Sequence, residues 1–317
     1  MREIQIFPAF TAKLPTGSIW VVLITVFLVW WGSAGCGIKK QTRIEVPQKI
    51  LQAKTATLDE LLEIINKYGN ITDLSCNPIK LTLTLGKLDS EVMDKYKKAR
   101  GYILLRRPDS IRLVVQEPII KTALADLVSV EDDFSIFIRR DNKFYEGKNS
   151  ARELVIEDAP DSPEIPIRPK DLFEALLPKK MNPNSLGIRI SMEEDMDDEA
   201  QYYVLSAIKV EASPRVQMLR RVWIERSRLE IARQRLFGEE GQIVSDISYS
   251  NMELSDGYSL PKEIYMNRPQ DGYSFEMELN SDRCKINSGL PDKAFILEPP
   301  EGSQIIHLKE KGRSDAS

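Results

Sequence analysis

The sequence predicts a mainly β protein with a few helices, built on one large, curved antiparallel sheet. Apolar and polar residues alternate with period two through many short segments, clusters of turn-forming residues separate those segments, and helical spacing is confined to two short runs. Segments joined by turns such as Pro-Asp, Asp-Asn, Gly-Glu-Glu-Gly and Gln-Asp-Gly pair as consecutive hairpins, so one antiparallel sheet is the economical architecture.

The chain opens on a segment that does not belong to that sheet. Residues 18–35, SIWVVLITVFLVWWGSAG, carry no charged side chain, and Arg2 and Lys13 precede them against Glu3. A positive region, an apolar run and small residues make an export signal over 1–35. The run is also long enough to cross a bilayer core of about 30 Å. Cys36 follows, and Ser33-Ala34-Gly35-Cys36 resembles the lipobox of bacterial lipoproteins, with Ser33 where that motif usually has Leu. The resemblance implies a cysteine acylated on sulfur that becomes the new N-terminus. An uncleaved membrane anchor and an ordinary cleaved signal are the alternatives. By resemblance to enterobacterial sorting, Gly37 instead of Asp favours the outer membrane, with inner-membrane anchoring as the alternative.

Residues 36–56 read as the lipidated N-terminus and a tether, since they show no sustained period and contain Pro47. Order begins at Thr57, where TLDE has the spacing of a capping box. Leu58, Leu61, Leu62, Ile65 and Tyr68 then share one helical face, and Gly69 offers a stop. The period next changes to two. In NPIKLTLTLG, Ile79, Leu81, Leu83 and Leu85 alternate with polar residues, and RGYILLRRP, SIRLVVQEP, FSIFIRR, NKFYEG, QYYVLSAIKVEA, RRVWIERSRLEIARQRLFG, GQIVSDISYSNMEL, LPKEIYMN and GYSFEMELN behave alike.

The second helical run lies at 169–178, between Pro169 and Pro178, with Leu172, Phe173, Leu176 and Leu177 on one side. A short apolar helix between strands must pack somewhere. The concave face of the sheet, where it would be a lid or plug, is one place; a sheet edge is the other. Residues 192–201, MEEDMDDEAQ, read as a solvated acidic loop and lack the Gly and regular oxygen-ligand spacing of a calcium site. The domain is expected to span 57–302, followed by a flexible tail over 303–317.

Composition narrows the function. The formal net charge of −4 becomes one unit more negative without residues 1–35, and the local Lys and Arg clusters alternate with apolar residues, so no nucleic-acid partner is indicated. His307 is the only histidine. No histidine-based triad or histidine-rich metal site can be assembled, and no P-loop, dinucleotide fingerprint or nucleophile elbow is present. No enzyme, cofactor or metal is therefore expected. Beside Cys36 stand Cys76 and Cys284; in an exported protein they can close a disulfide or remain buried thiols on separate strands. An aliphatic and aromatic concave face suits acyl chains, because apolar burial is non-directional; it can equally be filled by the helices as a core.

Three segments resemble the LolA/LolB superfamily of periplasmic lipoprotein carriers. In RRPDSIRLVVQEPIIKTALADLVSVEDDFSIFIRRDNKFYEG, Arg107 and Pro108 match an Arg-Pro pair that closes a strand, Pro118 a later proline, and Asp132-Asp133 a displayed turn. VWIERSRLEIARQRLFGEEGQIVSDISYSNM is similar to the middle hairpin. KAFILEPPEG resembles the closing motif, with Phe295, Pro299, Pro300 and Gly302 in place. The resemblance implies an unclosed β-barrel with a helical lid over a cavity for the acyl chains of lipoproteins. It gives Arg107 a role in opening and closing the lid through hydrogen bonds to the helices. Ile111, Leu113 and Val115 would line the cavity, although Leu113 stands where the family commonly has Trp. Cys36 points to the lipidated acceptor branch, which receives cargo from a soluble periplasmic carrier. No exposed Leu-bearing loop of the acceptor kind is apparent. A structural or scaffolding envelope lipoprotein that docks a protein partner is the competing reading.

Overall fold

The computed structural model describes residues 52–85, 94–117, 122–151, 154–156, 169–198, 200–210 and 216–310. The expected signal over 1–35, Cys36, most of the tether and Pro118 lie outside the described residues.

Helix α1 spans Leu58–Lys67, and its start is set by the capping box. The Thr57 amide donates to Glu60 Oε2 at 2.7 Å, and the Glu60 amide donates to Thr57 Oγ1 at 3.3 Å. Two of the four donors left unpaired at a helix N-terminus are thereby satisfied. The helix passes into a 3₁₀ turn over Tyr68–Asn70. Leu61, Leu62, Ile65 and Tyr68 are buried, and Leu58 packs partly against them.

Six strands follow: β1 (Asp73–Leu85), β2 (Asp94–Arg106), β3 (Ser110–Gln116), β4 (Ala123–Val130), β5 (Asp133–Ile138) and β6 (Lys143–Lys148). A short β7 (Leu154–Ile156) precedes helix α2 (Pro169–Leu176). A second meander then runs through β8 (Ile188–Met196), β9 (Gln201–Val210), β10 (Val216–Glu225), β11 (Glu230–Phe237), β12 (Ile243–Ser255), β13 (Tyr258–Arg268) and β14 (Tyr273–Glu278). The chain closes with β15 (Cys284–Ile286), a 3₁₀ turn over Asp292–Phe295, and β16 (Gln304–Glu310).

All the strands belong to one sheet. Its order is β7-β16-β6-β5-β4-β3-β2-β1-β14-β13-β12-β11-β10-β9-β8, with β15 also on β1. The two meanders join where β1 pairs antiparallel with β14, from Lys80 opposite Glu278 to Leu85 opposite Tyr273. Among the described residues β7 and β8 are paired on one side only, so the sheet is an unclosed barrel. Register shifts between Cys76 and Ile79, Met218 and Arg220, and Leu236 and Phe237 bend and twist the strands, which wraps the sheet around the helices. Gly101 serves the same packing: a Cβ there would come within 2.1 Å of the Val114 carbonyl oxygen.

The core lies on the inner face. Ile103, Leu105 and Ile111 from β2 and β3 pack in one apolar cluster with Leu61 and Ile65 of α1 and Leu172 and Phe173 of α2. Helix α2 lies against β3 and β4 on that inner face, the lid or plug placement. The outer face of β2 to β4 is covered by the segment that follows β15. There the Arg106 guanidinium donates to the Leu290 carbonyl at 3.1 Å and to Asp292 at 2.7 Å, and it stacks 4.7 Å from the Phe295 ring.

Three sequence expectations need correction. Residues 192–196, expected in an acidic loop, belong to strand β8, which pairs with β9 from Ile188 opposite Lys209 to Met196 opposite Gln201. Ile188 and Ile190 at its start pack partly against the core, whereas 191–196 are exposed on both faces, so no buried stripe marks that stretch. Residues 304–310, expected in a flexible tail, form β16 and pair in parallel with β6. Ile306 and Leu308 anchor it by burial. The end of the tether is also fixed: the Lys54 amide donates to the Arg226 carbonyl at 2.9 Å and the Ala56 amide to the Tyr203 hydroxyl at 3.2 Å.

Cys76 of β1 and Cys284 of β15 face each other in register and are joined by a disulfide that spans 208 residues. A cross-link over so long a loop removes entropy from the unfolded chain. Reducing it is expected to cost about 2–5 kcal/mol, read as a lower urea midpoint for the reduced protein than for the oxidised one. An unchanged midpoint would show that the bridge adds no stability.

Candidate functional site

Helix α2 exposes little and bonds at both ends. At its start Asp171 lies 3.0 Å from the Arg268 guanidinium, which also donates from Nε to Asp271 at 2.7 Å. Arg268 is 5% exposed. Burial works against its charge, but Asp171, Tyr273 and Asp271 outweigh that cost and hold its pKa above the ordinary guanidinium value. In the last turn of α2 the Tyr249 hydroxyl donates to the Ala175 carbonyl at 2.7 Å. The Gln234 amide donates to the Glu174 carbonyl at 3.2 Å and to the Tyr249 hydroxyl at 2.6 Å.

The last carbonyls of a helix have no intrahelical partner and carry the negative end of its dipole, so cations suit them. Arg107 uses this at both helices. Its Nη2 donates to the carbonyls of Leu177 at 3.4 Å and Pro178 at 3.1 Å, beyond α2, and to that of Tyr68 at 3.2 Å, beyond α1. Its Nε donates to the Ile71 carbonyl at 3.0 Å. Burial lowers its pKa, yet a guanidinium stays charged at neutral pH. Asn66 of α1 adds a reciprocal pair with the Met181 backbone, at 3.0 and 2.7 Å. Arg220 donates from Nη1 to the Lys179 carbonyl at 2.6 Å.

The two adjacent arginines therefore have separate duties. Arg106, the last residue of β2, points to the outer segment, and Arg107 points to the helices, because successive side chains leave a strand on opposite sides. Ile111 and Leu113 are buried on the inner face, Val115 packs partly against the same cluster, and Leu172, Phe173 and Leu176 meet them from α2. Pro108 departs from its expected place: it is exposed in the turn between β2 and β3 and lines neither lid nor interior.

Leu172, Phe173 and Leu176 of α2 pack into the apolar cluster of the inner face. Where Tyr68, Leu176, Pro178, Ile231 and Tyr249 meet, a crevice of about 10 Å³ remains, room for roughly one water molecule. Sites for small molecules run to about 300–1,000 Å³, well above the volume of this crevice. A larger hollow among the described residues lies elsewhere, lined by Lys80, Glu263, Ile264, Glu276, Met277 and Glu278.

Sequence reasoning missed Arg220, Gln234, Tyr249, Asp171 and Arg268. Their signal is parity. Arg220 shares its face of β10 with Val222 and Ile224, and Arg268 shares its face of β13 with Ile264 and Met266. Gln234 points inward between Arg233 and Arg235, which pair outside with Asp246 at 2.7 and 2.8 Å. Leu186, between α2 and β8, is fully exposed.

The protein is thus an unclosed antiparallel barrel whose apolar interior is covered by a docked helical lid, the architecture that the resemblance to the LolA/LolB superfamily implied. No protein-family profile and no curated protein matches the chain. Among solved structures it is similar to a LolA superfamily protein from Nitrosomonas europaea, at 14% identity over 77% of this chain and 99% of the other, with a TM-score of 0.45. It is also similar to a DUF1329 family protein from Desulfovibrio piger, at 12% identity, 74% and 94% coverage and a TM-score of 0.47. A Vibrio parahaemolyticus domain named for outer membrane lipoprotein sorting shares 13% identity, with 74% and 95% coverage and a TM-score of 0.43.

Replacing Arg107 by Ala leaves four backbone carbonyls without this donor, and a hydrogen bond to a charged group contributes about 1.5–3 kcal/mol. Hydrogen exchange of the α2 amides, residues 172–177, is expected to accelerate at least tenfold in R107A while the β1 to β3 amides keep their protection. Equal protection of α2 in both proteins would show that Arg107 does not hold the lid.

Proposed function

We propose that this protein is a membrane-tethered, non-catalytic carrier or acceptor that takes the acyl chains of lipoproteins or lipids beneath α2. The observation that carries the reading is the placement of Arg107, which bonds the C-terminal ends of both helices over an interior of aliphatic side chains. Acyl chains can replace the apolar face of α2 without loss of burial, and the arginine bonds give the closed state a definite geometry to return to. The anchor is Cys36, acylated and held at the outer membrane facing the periplasm, with the inner membrane as the alternative; a soluble periplasmic carrier is the donor. Ile111, Leu113 and Val115 would meet the chains on the wall, and Leu172, Phe173 and Leu176 on the lid.

A second reading, a scaffold that docks an envelope protein, is favoured by the unpaired edge of β8. A stoichiometric partner that copurifies with a variant unable to bind lipid would support it.

The full chain extracted from membranes is expected to bind a fluorescent fatty-acid probe and to carry lipid in native mass spectra. Failure to bind any acyl ligand would overturn the carrier reading. Cys36→Ala is expected to abolish palmitate labelling and release the protein from the membrane fraction; persistence of both would make the apolar N-terminal run the anchor.

A further inference from the structure

The inner face holds donors that no acceptor meets. Arg220 is 8% exposed, and apart from the bond from Nη1 to Lys179, its Nε and Nη2 have no hydrogen-bond partner among the described residues. Ser245 is 1% exposed and its Oγ is likewise unpartnered. The two share one cross-strand row, since Arg220 of β10 pairs with Leu236 of β11, and Leu236 pairs with Ser245 of β12. Both point inward, Arg220 with Val222 and Ser245 with Ile247. At a strand spacing of about 4.8 Å their backbones stand roughly 10 Å apart, with Leu236 between them in the row.

An apolar interior is a costly place for such groups. A buried polar atom is normally paired, and a buried cation more so. Arg220 gains nothing from an opposing carboxylate within hydrogen-bond reach, and burial pulls its pKa down against the weaker influence of Tyr249 and Glu174. Its one acceptor, the Lys179 carbonyl, belongs to the segment that leaves α2. When the lid lifts, that acceptor leaves with it, and the guanidinium faces the incoming ligand with every N–H free. A plain hydrocarbon chain offers no acceptor. A carboxylate or phosphate offers several, in the planar or forked geometry that a guanidinium matches.

We propose that Arg220, assisted by Ser245, is an oxyanion-binding site inside the barrel, and that the ligand is an acyl chain carrying an acidic head. The inference rests on the acyl-carrier reading and adds the selection of a charged head to it. Leu172, Phe173 and the aliphatic wall take the chain, and Arg220 sets its depth and direction by holding the head.

The test uses the full-length protein in detergent and two matched pairs of ligands: palmitate against methyl palmitate, and lysophosphatidic acid against monopalmitoylglycerol. The unaltered protein is expected to bind the acidic member of at least one pair about tenfold or more tightly than its neutral partner; which pair shows the difference separates carboxylate from phosphate. Arg220→Met is expected to bring the acidic ligands down to the neutral level, Arg220→Lys to retain part of the preference, and Ser245→Ala to reduce it. R220M is also expected to melt no lower than the parent, because an apolar side chain in place of an under-paired buried charge is neutral or stabilising. Equal binding within both pairs by the unaltered protein overturns the proposal while leaving the carrier reading intact, and binding of neither member overturns both. A preference that survives in R220M overturns the role of Arg220. Should R220M fail to fold, R220K, S245A and the unaltered protein still decide the matter.

Discussion

The bond between the Arg107 guanidinium and the ends of two helices is the constraint on which the rest of this structure depends. Neither α1 nor α2 is long, and both end over an apolar interior with carbonyls that can accept further hydrogen bonds. One planar cation answers both ends at once, so the helices converge on a single point. Asn66 and Arg220 extend the same solution along the segment that leaves α2.

The division of labour within the lid follows from magnitudes. Each fully buried Leu or Phe contributes about 1.5–3 kcal/mol, so Leu172, Phe173 and Leu176 together outweigh any one hydrogen bond. That apolar contribution is indifferent to partner, because any hydrocarbon of similar shape supplies it. The bonds from Arg107, Tyr249, Gln234 and Arg268 are specific in direction and identify one docked position. Apolar burial keeps the interior dry, and the polar anchors decide when the helix is home.

What was legible in the sequence was whatever presents one face to water. The capping box at Thr57, the alternation in β1 and the apolar side of α2 all have a wet face beside a dry one, and the residues show it. Legibility failed where that contrast disappears. From residue 191 on, strand β8 is wet on both sides, and its residues 192–196 read as a loop. In β4 Leu127 is buried inward and Val128 is buried outward beneath the segment that carries Phe295, so no alternation remains. The site divides in the same way. Arg107 was found through the Arg-Pro motif, whereas Arg220, Gln234 and Arg268 occupy inward positions where a hydrophobic residue is expected. They look like interruptions of a strand until the lid is seen above them.

The joint between β1 and β14 has a consequence for biogenesis. Each meander is assembled from neighbours along the chain, so hairpins can form as soon as they emerge. The seam is different: β1, near residue 80, waits for β14, near residue 275, before its second edge is covered. Until then the first half presents thirteen residues of open strand, an invitation to pair with another chain. A polypeptide that completes itself only with its last third needs protection while it folds, and the order of synthesis leaves its most central strand the longest exposed.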